Sequence, residues 1–432
     1  MACTDNPENL SGVSVGEGRH DGLMRGMTAR LTIGERVAWY RRRRGLSQEV
    51  LAGLVGRTAD WLGRVENNRM DLDRLSVITT LAAALDVSLG DLLAEPTLME
   101  WTPGSGHQTI PALRAALTDY RQLTPLLGSP ATYEPVPLDD LAERVDNVLT
   151  AYQQSRFGET TRLVPLLLAD VQAAVAAAAE GGDTRRRAAG LLALTYQAAA
   201  MTLTKVGEAD LAWIASDRSL AAAQQTSDPV VTASALRSVV HSLLSNARHD
   251  AAAQLTRDAA GSLPGDLLGA SPAYVSVYGT LFLAGAVAAS RANDRQTTRD
   301  FLEVADRAAQ RLGRDANHVW TAFGPTNVAI HRVATSMELG DVQIAVDSGP
   351  RINTTPLPTE RRVRHALEVA RALSAWNRRD EALDMLLDAE LVAPEQVRYH
   401  YISRQLVLTW IRQQRGRPPF ALADLARRLK VA

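Results

Sequence analysis

LSQEVLAGLVGRTADWLGRVENNR, residues 46–69, is the stretch on which the reading of this chain turns. Ser47 is a favoured helix N-cap type, followed by Gln48 and Glu49, and Gly56 supplies the left-handed conformation that ends a helix. Thr58 caps the next helix, which turns Leu62 and Val65 inward. Working outward, Ile33, Val37 and Tyr40 share one face of a preceding helix. Leu75, Ile78, Leu81 and Leu85 share one face of a helix expected from about Leu72, and Ser88 caps a last one through Leu93. The pattern therefore predicts a compact five-helix unit over residues 29–95.

Charge within this unit is unevenly placed. Between Leu31 and Arg69 eight arginines (36, 41, 42, 43, 44, 57, 64 and 69) face four acids, an excess of four positive charges. Between Met70 and Glu95 only Arg74 faces Asp71, Asp73, Asp86, Asp91 and Glu95. Whole-chain charge is −1, so any attraction to a polyanion is local to the first helices.

Residues 46–69 resemble the helix-turn-helix of the phage lambda repressor and Cro superfamily, the XRE family. Ser47-Gln48-Glu49, Leu51-Ala52, Gly56, Thr58, Leu62 and Arg64-Val65-Glu66 carry the resemblance, and LAAALDVSLGDLL, residues 81–93, matches the closing helices. The resemblance implies DNA binding. Gln48 and the N–H groups beside it would hold a phosphate. Thr58, Ala59, Asp60, Gly63, Arg64 and Asn67 would face the groove, with Arg64 as chief reader of guanine. Asn67 and Arg69 would touch the backbone after the recognition helix, Trp61 would pack on the sugar-phosphate wall, and Arg43 and Arg57 would add charge. Arg57 stands where relatives carry a small apolar residue, Asn68 where they carry glycine, and Asp60 would narrow the sequences read.

The remaining chain reads as helix throughout. At 432 residues it exceeds one core's capacity. Its apolar content, 46% with only 5% aromatic, is mostly Ala and Leu, which points to an all-α protein. Residues 1–28 lack periodicity and are expected to form a mobile tail. Seven prolines between Pro96 and Pro137 mark residues 96–137 as a linker, interrupted by one helix near Pro111 to Leu123. Lone Cys3 fits a reducing cytoplasm. The leader lacks an apolar core, and the most apolar stretch, residues 275–290, reads as too short to span a membrane.

From residue 138 to 432 a repeat emerges. WNRRDEALDMLLDAELVAP places Ala382, Leu386, Ala389 and Pro394 at the same spacing as Ala252, Thr256, Ala259 and Pro264 in NARHDAAAQLTRDAAGSLP. Small residues so placed let paired helices pack closely, and the pattern resembles tetratricopeptide repeats. Weaker copies anchor at Thr160, Ala212, Thr298 and Ala345, giving intervals of 52, 40, 46, 47 and 37 residues. The expected product is an α-solenoid whose concave groove is lined by Gln197, Lys205, Arg237, His241, Asn327, His331, Arg364 and Arg371. Such a positive groove suits an extended peptide or an acidic small molecule. The run HVWTAFGPTNVAIH, residues 318–331, reads as a binding loop leading into a helix.

No phosphate loop, zinc-protease, serine-hydrolase, Rossmann, calcium-loop or CxxC pattern appears, and the eight histidines show no metal spacing. Catalytic residues, metal and cofactor are therefore expected to be none. An XRE-type module followed by helical repeats resembles the peptide-responsive, quorum-sensing regulators of Gram-positive bacteria. That resemblance implies a cytoplasmic homodimer on a palindromic operator, switched by a peptide or small-molecule effector. The alternative is a repeat scaffold on which a protein partner docks.

Overall fold

The computed structural model describes residues 31–72, 74–87, 89–93, 106–119, 136–263 and 267–431. The expected tail at 1–28, the Ser88 cap and most of the 96–137 linker lie outside them. Among the described residues the fold is all-α, and its one β contact is an isolated bridge between Ala316 and Phe323.

The N-terminal unit has five helices: α1 (Ile33–Arg43), α2 (Gln48–Leu54), α3 (Ala59–Glu66), α4 (Leu75–Leu85) and α5 (Leu89–Leu93). Thr32 opens α1 in a reciprocal capping box with Glu35. Ser47 accepts from the Val50 amide and Thr58 from the Trp61 amide, so both sequence-read caps are made. Gly56 (φ 64°) turns the chain between α2 and α3, and Asn68 (φ 54°) does the same after α3. The fourth helix starts at Leu75, three residues later than the periodicity suggested, and its N-cap Arg74 offers no side-chain bond. Ile33, Val37, Leu51, Leu62, Val65, Ile78, Leu81 and Leu85 close the core. Packing is tightest at Gly34, where a Cβ would lie 2.1 Å from the Val65 carbonyl oxygen.

One helix, α6 (Gly106–Thr118), follows, earlier than the expected 111–123 and with Pro111 inside it. Six hairpins come next: α7 (Leu138–Gln153) with α8 (Phe157–Ala177), α9 (Asp183–Lys205) with α10 (Ala209–Ala223), and α11 (Pro229–Ser245) with α12 (His249–Ser262). After these stand α13 (Pro272–Arg291) with α14 (Arg295–Leu312), α15 (Pro325–Leu339) with α16 (Val342–Ser348), and α17 (Thr359–Ala375) with α18 (Arg379–Val392). The chain ends in α19 (Pro394–Tyr399), α20 (Tyr401–Gln413) and α21 (Phe420–Arg428).

All six hairpins turn by one device. Ser155, Gly207, Ala247, Asn293, Gly340 and Asn377 each take a left-handed conformation. The next residue's N–H then bonds back to a carbonyl five residues earlier, at 2.8–3.0 Å, closing a Schellman-type cap. Five residues after each left-handed position stands a small anchor: Thr160, Ala212, Ala252, Thr298, Ala345 or Ala382, none more than 2% exposed. Close helix approach is why they are small; at Gly285 of α13 a Cβ would lie 2.5 Å from Thr256 of α12.

The apolar stretch read as too short is a 20-residue helix, α13. By length and composition α13 and α8 could each cross a membrane, but 89% of α13's apolar window is buried within the fold. It is the hub of the central core, packed by Tyr278, Leu281, Phe282 and Ala286.

Contacts across long sequence separations bend the array back on itself. Ser155 Oγ in the first hairpin turn donates to Gln396 Oε1 (2.6 Å), and the Gly158 amide donates to Glu395 Oε2 (3.1 Å), both acceptors on α19. Gln396 Nε2 in turn donates to the Glu360 carbonyl at the start of α17 (3.1 Å). First and last hairpins therefore meet, and what the repeat pattern implied as an open groove is an enclosed interior.

Candidate functional site

Two regions concentrate functional chemistry, and the first is the outer face of α2 and α3. Arg43, Arg57, Thr58, Asp60, Arg64, Asn67 and Arg69 are exposed there, while Gln48, Ala59, Trp61 and Gly63 are half-buried. Gln48 crosses α3 with its amide 3.6–3.8 Å from the space a Cβ on Gly63 would fill. Its Nε2 donates to Glu66 Oε2 (2.8 Å), which leaves a second amide hydrogen for an outside acceptor such as phosphate. Glu66 is itself gripped by Arg41 through a two-point ion pair, Nε to Oε1 at 2.6 Å and Nη2 to Oε2 at 2.8 Å. A buried pair thus orients the amide at the start of α2. The Arg57 guanidinium stacks 5.5 Å over Trp61, and Arg43 5.2 Å over Trp39.

Two of the eight arginines counted toward the basic face do not belong to it. Arg41 is spent on Glu66, and Arg36 is 2% exposed, donating to the carbonyls of Leu92 and Leu31 inside the unit. Burial, with Arg404 adding to it, lowers the Arg36 pKa to about 9. The outer face rests on six arginines.

The second region is the interior of the repeat ring. Lys205, Arg237, His241, His331 and Arg364 come together there, near enough for each charge to be felt by its neighbours. They arrive from the inward faces of α9, α11, α15 and α17. Asn327 adjoins them, since His331 Nδ1 lies 2.8 Å from its carbonyl. Gln197 is instead wedged between helices and accepts from Ser234 (2.6 Å), and Arg371, two turns beyond Arg364, lies toward the other end of α17. Glu360, Arg361, Tyr152 and His400, absent from the sequence-based set, join the cluster. Glu360 and Arg361 were discoverable, standing one turn before Arg364; His400 had no repeat partner to mark it.

Arg237 is 2% exposed, and its Nε and Nη2 have no hydrogen-bond partner among the described residues. Burial and the Arg361 charge lower its pKa to about 10. Burial alone would raise the Glu360 pKa, but Lys205, Arg361 and Arg364 overwhelm it and hold the carboxyl near 2. His331 is pushed down to about 3 by burial and by Arg361, and His241 well below its usual range by burial and by Arg237. Both imidazoles are neutral at physiological pH.

A strained loop closes this interior. Val319 (φ 50°), Trp320 (φ 51°) and Ala322 (φ 49°) are all left-handed without being glycine, a conformation that costs about 1–3 kcal/mol per residue. It is held from several sides. Gln153 and Asn317 exchange two amide bonds at 2.8 and 2.9 Å, and Gln153 also donates to the Trp320 carbonyl (3.0 Å). Asn327 Nδ2 donates to the Ala322 carbonyl (2.8 Å), and Phe323 sits on Gly279, where a Cβ would lie 2.0 Å from its ring.

A chain of buried charges runs from the interior to the N-terminal unit. Arg364 Nη1 meets His400 Nε2 (2.6 Å) and Nη2 meets Glu368 Oε1 (2.8 Å). Glu368 Oε2 pairs with Arg371 (2.8 Å), which lies 3.4 Å from Glu338 Oε1, with Arg291 at 4.0 Å. Glu338 Oε2 then accepts the amide of Leu75, the uncapped first residue of α4 (3.2 Å). Beside this contact the Arg74 guanidinium lies over Gly340, where a Cβ would meet Nη2 at 2.1 Å. The Ile33 amide donates to Gln405 Oε1 (2.9 Å), Gln413 Nε2 donates to the Asn68 carbonyl (3.2 Å), and Arg412 pairs with Glu35 (3.1 Å).

No curated protein and no solved structure matches the chain. Residues 32–95 match the family model of a helix-turn-helix domain, so the five-helix unit with its exposed Arg64 face is a DNA-binding domain of that kind.

Proposed function

We propose that this protein is a homodimeric, cytoplasmic transcription regulator of the XRE type, whose tetratricopeptide-like repeats sense an effector and change how the DNA-binding domain is held. The observation that carries this reading is the buried charge chain from the repeat interior to the first amide of α4. A carboxylate at a helix N-terminus is favoured by the helix dipole, and here it belongs to the other domain. Any rearrangement of Arg364 or Glu368 on effector binding alters what Glu338 offers to α4. A partner-docked scaffold, the competing reading, gives no role to charges enclosed within the ring. Exposed Leu391, Val392 and Phe420 on α18 and α21 support contact with a second copy. Two recognition helices in such a dimer would read half-sites about 34 Å apart. No catalysis is proposed.

The test is selection of bound fragments from random DNA, followed by titration of the selected site. A palindrome is expected. Arg64→Ala is expected to weaken binding by about 1–3 kcal/mol and to relax preference at one base, and Gln48→Ala to weaken all sequences alike. If no sequence is enriched, or if Arg64→Ala leaves both affinity and preference unchanged, the reading fails.

A further inference from the structure

The interior of the ring, taken with the charge chain that leaves it, is over-supplied with positive charge. Lys205, Arg237, Arg291, Arg361, Arg364 and Arg371 are six cations, and Glu338, Glu360 and Glu368 are the three carboxylates among them, an excess of three. Arg364 and Arg371 are committed along the chain that ends at Leu75, Arg291 lies 4.0 Å from Glu338 with its Nε not hydrogen-bonded, and Lys205 holds Glu360 directly. Arg361 is 3.7 Å from the second oxygen of Glu360, and among the described residues Arg237 makes no ion pair and its Nε and Nη2 no hydrogen bond. An ion removed from water without a counter-charge costs several kcal/mol, so a position selected for stability alone would carry Met or Leu.

Three further features converge on the same place. Asn327 Oδ1 is buried without a donor. Neither His241 nitrogen nor His331 Nε2 has a hydrogen bond among those of the described residues, although both rings are deeply enclosed and retain part of their surface. The strained segment at Val319, Trp320 and Ala322 is pinned to Asn327 on one side and to Gln153, next to Tyr152, on the other.

We infer that the ring interior is a binding site for a compact anionic small molecule, its carboxylate or phosphate received by Arg237 and Arg361 and its hydrogen-bonding body by His241, His331 and Asn327. This rests on the effector-sensing reading above and narrows it. An extended peptide needs an open groove along the first helices, and the contact of the first hairpin with α19 closes that groove. A planar guanidinium fork suits the two-oxygen face of a carboxylate or phosphate.

The experiment titrates the full chain, without DNA, with inorganic phosphate in one arm and succinate in the other, at constant ionic strength set with chloride. Calorimetry and thermal unfolding are both read. A saturable association with one anion per chain and a rising melting temperature are expected in at least one arm; which arm responds identifies a phosphate or a carboxylate ligand. Arg237→Met is expected to weaken that association at least about tenfold, while melting no lower than the parent in chloride. Arg361→Gln, at a position only partly buried, is expected to weaken it similarly and stands in if Arg237→Met does not fold. The exposed Arg257→Gln leaves it unchanged. Absence of saturable binding in both arms overturns the inference, as does binding that survives both Arg237→Met and Arg361→Gln. Because DNA is absent, a positive titration with no operator enrichment sinks the regulator and keeps the anion site, and the reverse sinks the anion site alone.

Discussion

Glu338 is the point at which the two domains exchange charge, and its removal has a calculable effect. Its Oε2 is the acceptor for the Leu75 amide, and a hydrogen bond to a charged acceptor contributes about 1.5–3 kcal/mol. The neighbouring neutral bonds, Ile33 to Gln405 and Gln413 to Asn68, contribute about 0.5–1.5 kcal/mol each. Arg412 with Glu35 is an exposed pair of about 0–1 kcal/mol. Glu338→Ala therefore removes the largest single polar contribution to docking and shifts the docked-to-undocked ratio by about 10- to 150-fold. Glu338→Gln keeps an acceptor and loses the charge, so its shift is smaller. Hydrogen exchange followed by mass spectrometry reads the effect: peptides over residues 70–80 should exchange faster by that factor in Glu338→Ala and less so in Glu338→Gln, with α18 unchanged. Gly340→Ala reaches the same junction without touching the carboxylate, because its Cβ would displace the Arg74 guanidinium. Unchanged exchange over 70–80 in folded Glu338→Ala and Gly340→Ala, together with unchanged operator affinity, would refute the coupling.

Gly34→Ala drives a methyl into the Val65 carbonyl at 2.1 Å, so α1 and α3 must part; a loss of about 1–3 kcal/mol in the DNA-binding domain is expected, read as an earlier urea transition by Trp61 fluorescence, and an unshifted transition would contradict the packing described. The repeats should lose stability below pH 6.5. His241, His249, His331, His365 and His400 are all held below their usual pKa by burial, His249 at about 4 and His331 at about 3. Folded pKa values below the unfolded one mean that the unfolded chain binds the extra protons, so stability is full above about 6.5 and falls as pH falls, by about 1.4 kcal/mol per unit for each histidine. Carboxylates held down, such as Glu360, add their own loss only below about 4.5. Urea midpoints equal at pH 7.5 and 5.5 would count against these burials.

The helical class and the five-helix unit were legible because their signals are local. Ser47, Thr58 and Gly56 act within one turn of themselves, and the Ala or Thr anchors recur at fixed positions in a hairpin. The left-handed turn residues escaped notice because four residue types fill that conformation once a Schellman bond fixes it: serine, alanine and asparagine serve beside glycine. Arg36 and Arg41 looked basic and outward because composition cannot show that a carbonyl or Glu66 waits inside. Ring closure rests on Ser155 meeting Gln396, 241 positions away, and no periodicity encodes such a pair. Arg237, His241, His331 and Arg364 were legible as inward-facing by alignment to the anchors. His400 was not, since it owes its place to the closure itself.

Helical repeats need only small and apolar residues to stack, and α13 shows how far that can be taken, with 16 of its 20 residues buried and not one of those 16 charged. The hairpins beside it depart from that composition on one face only. Arg237 is buried on α11, a helix whose other buried residues are small or apolar, Ala233, Val239 and Val240 among them, together with serines. Retaining a guanidinium there with Nε and Nη2 not hydrogen-bonded lowers the stability of the empty protein, and in the proposed site the same guanidinium would raise affinity for an anion by whatever desolvation has already been spent. The strained loop at Val319 to Ala322 follows the same logic in the backbone. On the proposed reading both put the ligand-free chain at a disadvantage that a bound anion would relieve, and the side chains from Arg364 through Glu368 and Arg371 to Glu338 would pass that relief to α4. A switch built this way needs no large motion: a change in how Arg364 divides itself between His400, Glu368 and the ligand is enough to alter the charge that Glu338 presents to Leu75.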